Sequence, residues 1–178
     1  MNFPRPTVST LLGCVLLTSA WASAQPAPSG RSKEAVIPAA LIYENTQFGF
    51  CFRLPASWTG YTTLTGQWDG MVASTSQMIH GPSITIRNPK WTTENPYQDI
   101  PILIFKPEVW RRVDDAKITV GAAPFAPSEL GRNNRYVFAL PARLTSDSAT
   151  GYQEVLNLIR EKPLESPCRT AAPGSHLQ

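Results

Sequence analysis

Histidine is nearly missing from this chain: His80 and His176 are its two instances among 178 residues. Histidine is the side chain that titrates nearest neutral pH and the usual general base, so a histidine-centred catalytic set has little to draw on. His176 lies in a Pro/Gly/Ser-containing tail, and His80, just before Gly81-Pro82, reads as a turn residue. Cysteine is scarce as well, with Cys14, Cys51 and Cys168 far apart from one another and the two histidines nearly a hundred residues apart, so no zinc-type Cys-x2–4-Cys or His-x3–5-His spacing exists. No G-x-S-x-G elbow, phosphate loop or dinucleotide fingerprint is present. No catalytic, cofactor-binding or metal-ligating residue is therefore assigned, no cofactor is expected, and the chain is read as non-enzymatic.

Runs of like charge are missing too. Charged residues make up 16% of the chain and the net charge is +3, whereas a surface that tracks phosphates needs clustered Lys and Arg. The densest basic spots, Arg111-Arg112 and "GRNNR" at Gly131 to Arg135, read as solvated surface or turn. Nucleic acid is not expected as a partner.

Nor is there an apolar run of the roughly 20 residues that a membrane-crossing helix requires. The first residues, "MNFPRPTVSTLLGCVLLTSAWASA", instead carry Arg5, an apolar stretch from Leu11 to Ala20, and then Ala22-Ser23-Ala24. That order of charge, short apolar run and small residues is the grammar of a secretory signal peptide over residues 1–24. The expected location is exported, periplasmic or secreted. "LLGC" also resembles a lipoprotein cleavage site that would anchor the chain through Cys14, although a lipidation cysteine should follow the apolar run and here it precedes "VLLTSAWASA".

Residues 25–35, "QPAPSGRSKEA", read as a flexible mature N-terminus. One domain is expected over residues 36–163, with a C-terminal tail over 164–178. In "LIYENTQFGFCFRLP" a short strand, a turn at Glu44-Asn45-Thr46 and a second strand ended by Pro55 can be read. Alternation sets Phe48, Phe50, Phe52 and Leu54 on a core face and Gly49, Cys51 and Arg53 on the other. Further strands are predicted at "YTTLTGQW", "SITIR", "IPILIF", "KITV" and "RYVFAL", divided by segments such as "HGPS" and "NPKWTTENP". "IPILIF" is apolar on both faces, as a central strand would be. A short helix is predicted at "PEVWRRVDD" and a second at "GYQEVLNLIRE", whose broad apolar face should pack on the sheet. The class is α+β, with an antiparallel or mixed sheet flanked by helices.

Aromatic residues offer the alternative to a purely structural reading. Trp58, Trp68 and Trp110 neighbour strand ends or a helix, where a large ring closes off a core. Trp91, in the polar loop "NPKWTTENP", is the exception, and with nearby Tyr97 it is the candidate ligand-binding pair for a sugar or aromatic molecule. Asp69, Glu94 and Asp99 are carboxylates that folding could bring together.

The segment "YENTQFGFCFRLPASWTGY", Tyr43 to Tyr61, resembles the opening of the PsbP-like superfamily: a Tyr, an Asn turn, an aromatic-Gly-aromatic strand, then Pro-x-x-Trp. "RYVFAL" and "YQEVLNLIR" are similar to that family's ending. The resemblance implies an α-β-α sandwich, used mostly for binding, and it carries no catalytic or metal-site residue onto this chain. A partner in the envelope or outside the cell is expected on that basis.

Loss of the signal peptide would leave Cys51 and Cys168, and two readings stand for them. Paired, they would tie the tail across the first long strand, closing a loop for which the chain-entropy model gives about 4–5 kcal/mol. Unpaired, Cys51 is a small buried hydrophobe and Cys168 a free tail thiol. A thiol-dependent enzyme built on Cys51 and His80 is the remotest of the functional readings, since a reactive thiolate needs an electropositive, partly exposed site.

Overall fold

The computed structural model describes residues 40–123, 125–144 and 149–168. The signal peptide, the flexible N-terminus, Cys14 and His176 lie outside the described residues.

The fold begins with a hairpin of β1 (Leu41–Asn45) and β2 (Phe50–Leu54), in antiparallel register with Tyr43 opposite Phe52. The first strand runs through Glu44 and Asn45, which had been expected to turn; the turn falls on the next four residues. The Asn45 side chain accepts the Phe48 amide at 2.9 Å and Gly49 takes φ +74°, a conformation costly for any residue with a Cβ. A 3₁₀ turn, Ala56–Trp58, follows Pro55. The long hairpin of β3 (Thr62–Val72) and β4 (Met78–Arg87) comes next, then β5 (Ile100–Phe105), helix α1 (Pro107–Asp114) and β6 (Ile118–Val120). The chain closes with β7 (Ser128–Arg132), β8 (Val137–Leu140), helix α2 (Tyr152–Arg160) and β9 (Leu164–Glu165).

The class is α+β, and every ladder between these strands is antiparallel. The one sheet expected is two: a three-stranded sheet in the order β1-β2-β9 and a six-stranded sheet in the order β6-β3-β4-β5-β8-β7. Alternation along β5 and β8 divides the apolar side chains between two cores. Ile100, Ile102, Ile104, Phe138 and Leu140 join Phe48, Phe50, Phe52, Leu54 and Trp58 of the small sheet's hairpin and Val155 and Leu158 of α2. Leu103, Phe105, Val137 and Ala139 join Trp68, Val72, Ile118 and Val120 with Trp110 and Val113 of α1. The central sheet is thus covered by α1 on one face and by α2 with the small sheet on the other. This is why "IPILIF" has no polar face.

The stretch from residue 164, expected as a tail, belongs to the domain as far as the described chain runs. Leu164 pairs with Phe52 and Glu165 with Cys51. Arg53 donates its amide to the Pro163 carbonyl at 2.9 Å, and its guanidinium pairs with Glu165. The Ser166 hydroxyl donates to the Gly49 carbonyl at 2.5 Å.

Candidate functional site

Cys51 and Cys168 are joined in a disulfide, with Cα atoms 5.1 Å apart. Cys51 sits on the face of β2 opposite its phenylalanines, where β9 and the residues after it cover the strand, so the cysteine is buried despite being off the main core face. The bond removes the thiol that a Cys51–His80 enzyme would need. His80 itself is a strand residue of β4 rather than a turn residue, opposite Asp69, whose carboxylate lies 3.5 Å from its Nδ1.

Trp91 and Tyr97 are engaged separately. The Arg87 guanidinium stacks 3.8 Å from the Trp91 ring centre and also pairs with Asp99 at 3.2 Å, so one face of the indole is already taken. Tyr97 makes a single bridge to Thr150, and its ring packs close over Gly151, where a Cβ would stand 3.2 Å from it. Asp69 and Asp99 do not converge either. Asp69 is paired in register with His80 and Asp99 is held at Arg87, about 23 Å along the same strand at a strand's usual rise. Among the described residues there is no group of three His, Cys, Asp or Glu that could hold a metal ion.

The concave site lies where β4 and β5 part. β4 pairs with β3 along its whole length, but with β5 only from Ser83 to Ile86. Continuing that register would set Pro82 opposite Ile104, and proline has no N–H to give. The Ile104 carbonyl is satisfied instead by the Trp68 indole, whose Nε1 donates at 2.9 Å. To reach it the ring lies across Gly81: a Cβ there would stand 2.5 Å from the indole. The "HGPS" segment, which had been expected to separate strands, is therefore interior to β4. Gly81 makes room for the indole and Pro82 leaves the gap it spans.

The result is a cleft of about 290 Å³ lined by Trp68, Phe48, Ile79, Ile104 and Val109 among others. Tyr136 stands at its side, edge-on to Phe48 with ring centres 5.2 Å apart. Three nitrogen-bearing residues, His80, Lys106 and Arg112, complete the lining. The Lys106 ammonium is held 4.6 Å from the Tyr136 ring centre, a cation over an aromatic face. Val109 and Arg112 fall three apart on α1 and so share one face of it. A larger cavity of about 460 Å³ is lined by Leu103, Val120, Ala123 and Arg143 among others.

Elsewhere the remaining indoles of the described residues are structural. Trp58 is fully buried and its Nε1 donates to Glu154 of α2 at 3.1 Å, which pins the 3₁₀ turn to the helix. Trp110 packs against Phe105 at 5.3 Å. The Tyr61 phenol is pushed above its usual range by burial first and by neighbouring Tyr43 second, which keeps it a neutral part of the rim of the core that holds Trp58 and Phe50. Among the described residues no helix is long and apolar enough to cross a membrane. Comparison with protein-family models, with curated proteins and with solved structures found no match.

Proposed function

We propose that this chain is an exported, non-enzymatic binding module that takes a small ligand, or a side chain of an envelope partner, in the cleft between β4 and β5. The observation that carries the reading is how the cleft is built. A buried indole is held across a glycine, at a point where a proline stops the sheet from closing. Small-molecule sites are concave, mostly apolar and fitted with a few placed polar groups, and the lining here has that composition.

Export is supported by the signal-peptide grammar of residues 1–24 and by the Cys51–Cys168 bond, since disulfides persist mainly in oxidising compartments. Kinship with the PsbP-like superfamily belongs to the same proposal. Its support is that the signature from Tyr43 to Tyr61 forms one structural unit, a hairpin and a 3₁₀ turn sealed by Trp58 against the last helix.

The test is to fill the cleft. Val109 is half-buried and lines it, so Val109→Phe should abolish the binding of small aromatic compounds detected with the unaltered protein by calorimetry, with thermal unfolding little changed. Compounds that bind the filled variant as tightly as the original would place recognition elsewhere and end the proposal.

A further inference from the structure

We infer that the ligand of this cleft is an anion with an apolar body, such as a small aryl or alkyl carboxylate. The inference rests on the cleft being the binding site and names the chemistry it selects. The floor and walls are Trp68, Phe48, Ile79, Ile104 and Val109, which offer apolar contact and no free hydrogen-bonding group where the Ile104 carbonyl is already bonded to the indole. The polar groups of the lining's side chains are, apart from the Tyr136 hydroxyl and that indole, the nitrogens of His80, Lys106 and Arg112. A cavity with an apolar floor and basic groups in its wall discriminates by charge sign, because transfer of a carboxylate to a partly dry site is costly unless a cation receives it.

Among the described residues, neither Lys106 nor Arg112 is in an ion pair. Asp69 is the carboxylate that approaches the set, and it faces His80 at 3.5 Å on the neighbouring strand. Glu108, one turn before Arg112 on α1, is exposed and makes no ion pair with it. Lys106 is also preorganised: it precedes Pro107, the first residue of α1, so its backbone is fixed in the extended region, and its ammonium rests on the Tyr136 ring. Less side-chain freedom remains to be lost when an anion arrives. Size narrows the class, since about 290 Å³ lies at the low end of ligand cavities, which run from about 300 to 1,000 Å³. That suits a single ring or short chain and excludes a dinucleotide or an oligosaccharide from full enclosure.

The experiment compares two ligands that share a body and differ in the head group, hydrocinnamate and hydrocinnamyl alcohol, by calorimetry on the oxidised protein and on Lys106→Gln/Arg112→Gln. Both substituted residues are exposed, so the double variant keeps its core. The acid should bind the original protein about tenfold more tightly than the alcohol, the size of one charge-assisted hydrogen bond. The double variant should lower the acid to the level of the alcohol and leave the alcohol unchanged. Equal affinity for the two ligands, or undiminished acid binding by the double variant, overturns the inference while leaving the cleft as a site. No binding of either ligand overturns the cleft itself as a binding site.

Discussion

Replacing both members of the Cys51–Cys168 bond by alanine should cost the domain a large part of its stability, and the structure gives the size. The bond spans a sequence separation of 117 residues, for which the chain-entropy model gives about 5 kcal/mol at room temperature, with observed losses on removing native disulfides of about 2–5 kcal/mol. The folded side of the balance changes little, because the Glu165–Cys51 register, the Arg53–Glu165 ion pair and the Ser166 hydroxyl on Gly49 do not need the sulfurs. Most of the effect therefore lies in the unfolded chain. With a urea slope of about 1–3 kcal/mol per molar, a loss of about 4 kcal/mol moves the midpoint down by about 1–4 M. The slope should also steepen, since an unfolded chain freed of its cross-link exposes more surface. Urea unfolding of the oxidised protein and the double variant, followed by far-ultraviolet circular dichroism, measures both. A stability difference under about 1 kcal/mol, in the range of ordinary surface substitutions, would refute the staple.

Phe50 is fully buried and stands 4.7 Å from Phe138 across the core shared by the two sheets and α2, so Phe50→Ala should cost about 3–5 kcal/mol in the same unfolding assay. Gly81→Ala puts a methyl group where the indole lies, 2.5 Å from its nearest atom; it should destabilise by about 1–3 kcal/mol and shift the Trp68 indole N–H resonance, which an unmoved ring would leave in place. Cleavage after Ala24 predicts an exported protein beginning at Gln25, which intact mass spectrometry reads directly; a mature chain starting at a lipidated Cys14 would contradict it.

Where local pattern and tertiary packing agree, the elements are legible in the residues. The phenylalanines of β2 point to the core because strand alternation allows nothing else. The helix α1 starts at Pro107 and α2 presents Val155 and Leu158 inward. The central position of "IPILIF" is visible from its lack of any polar face. Elements that depend on partners are not. β7, "SELGR", has few residues that favour strands, and it survives as an edge strand by pairing with β8. β9 is two residues long and exists through its ladder to β2 and the disulfide beside it.

The site was hidden for the same reason. Gly81-Pro82 has the local chemistry of a turn, yet here it is a strand interior, because the side of β4 that would have met β5 is bridged by an indole from the strand on its other flank. Neither the two residues nor Trp68 announces that alone. The signal is the register of β3 on β4, which sets Trp68 opposite Gly81. Trp91 stands out in the sequence as an aromatic in a polar loop, but Arg87 on the preceding strand already occupies a face of it. Lys106 and Arg112 sit in a stretch whose pattern spells only a helix start and a solvated face, and they become a pair at one cleft through the packing of α1.

The most direct test of the account is to map where a ligand lands, using the amide and indole NMR signals of the oxidised protein titrated with hydrocinnamate and with hydrocinnamyl alcohol in turn. The cleft predicts that the largest shifts fall on the Trp68 indole N–H and on the amides of Ile79, His80, Gly81, Lys106 and Tyr136. Shifts gathered instead around Trp91 and Tyr97, or none above background with either ligand, would contradict it.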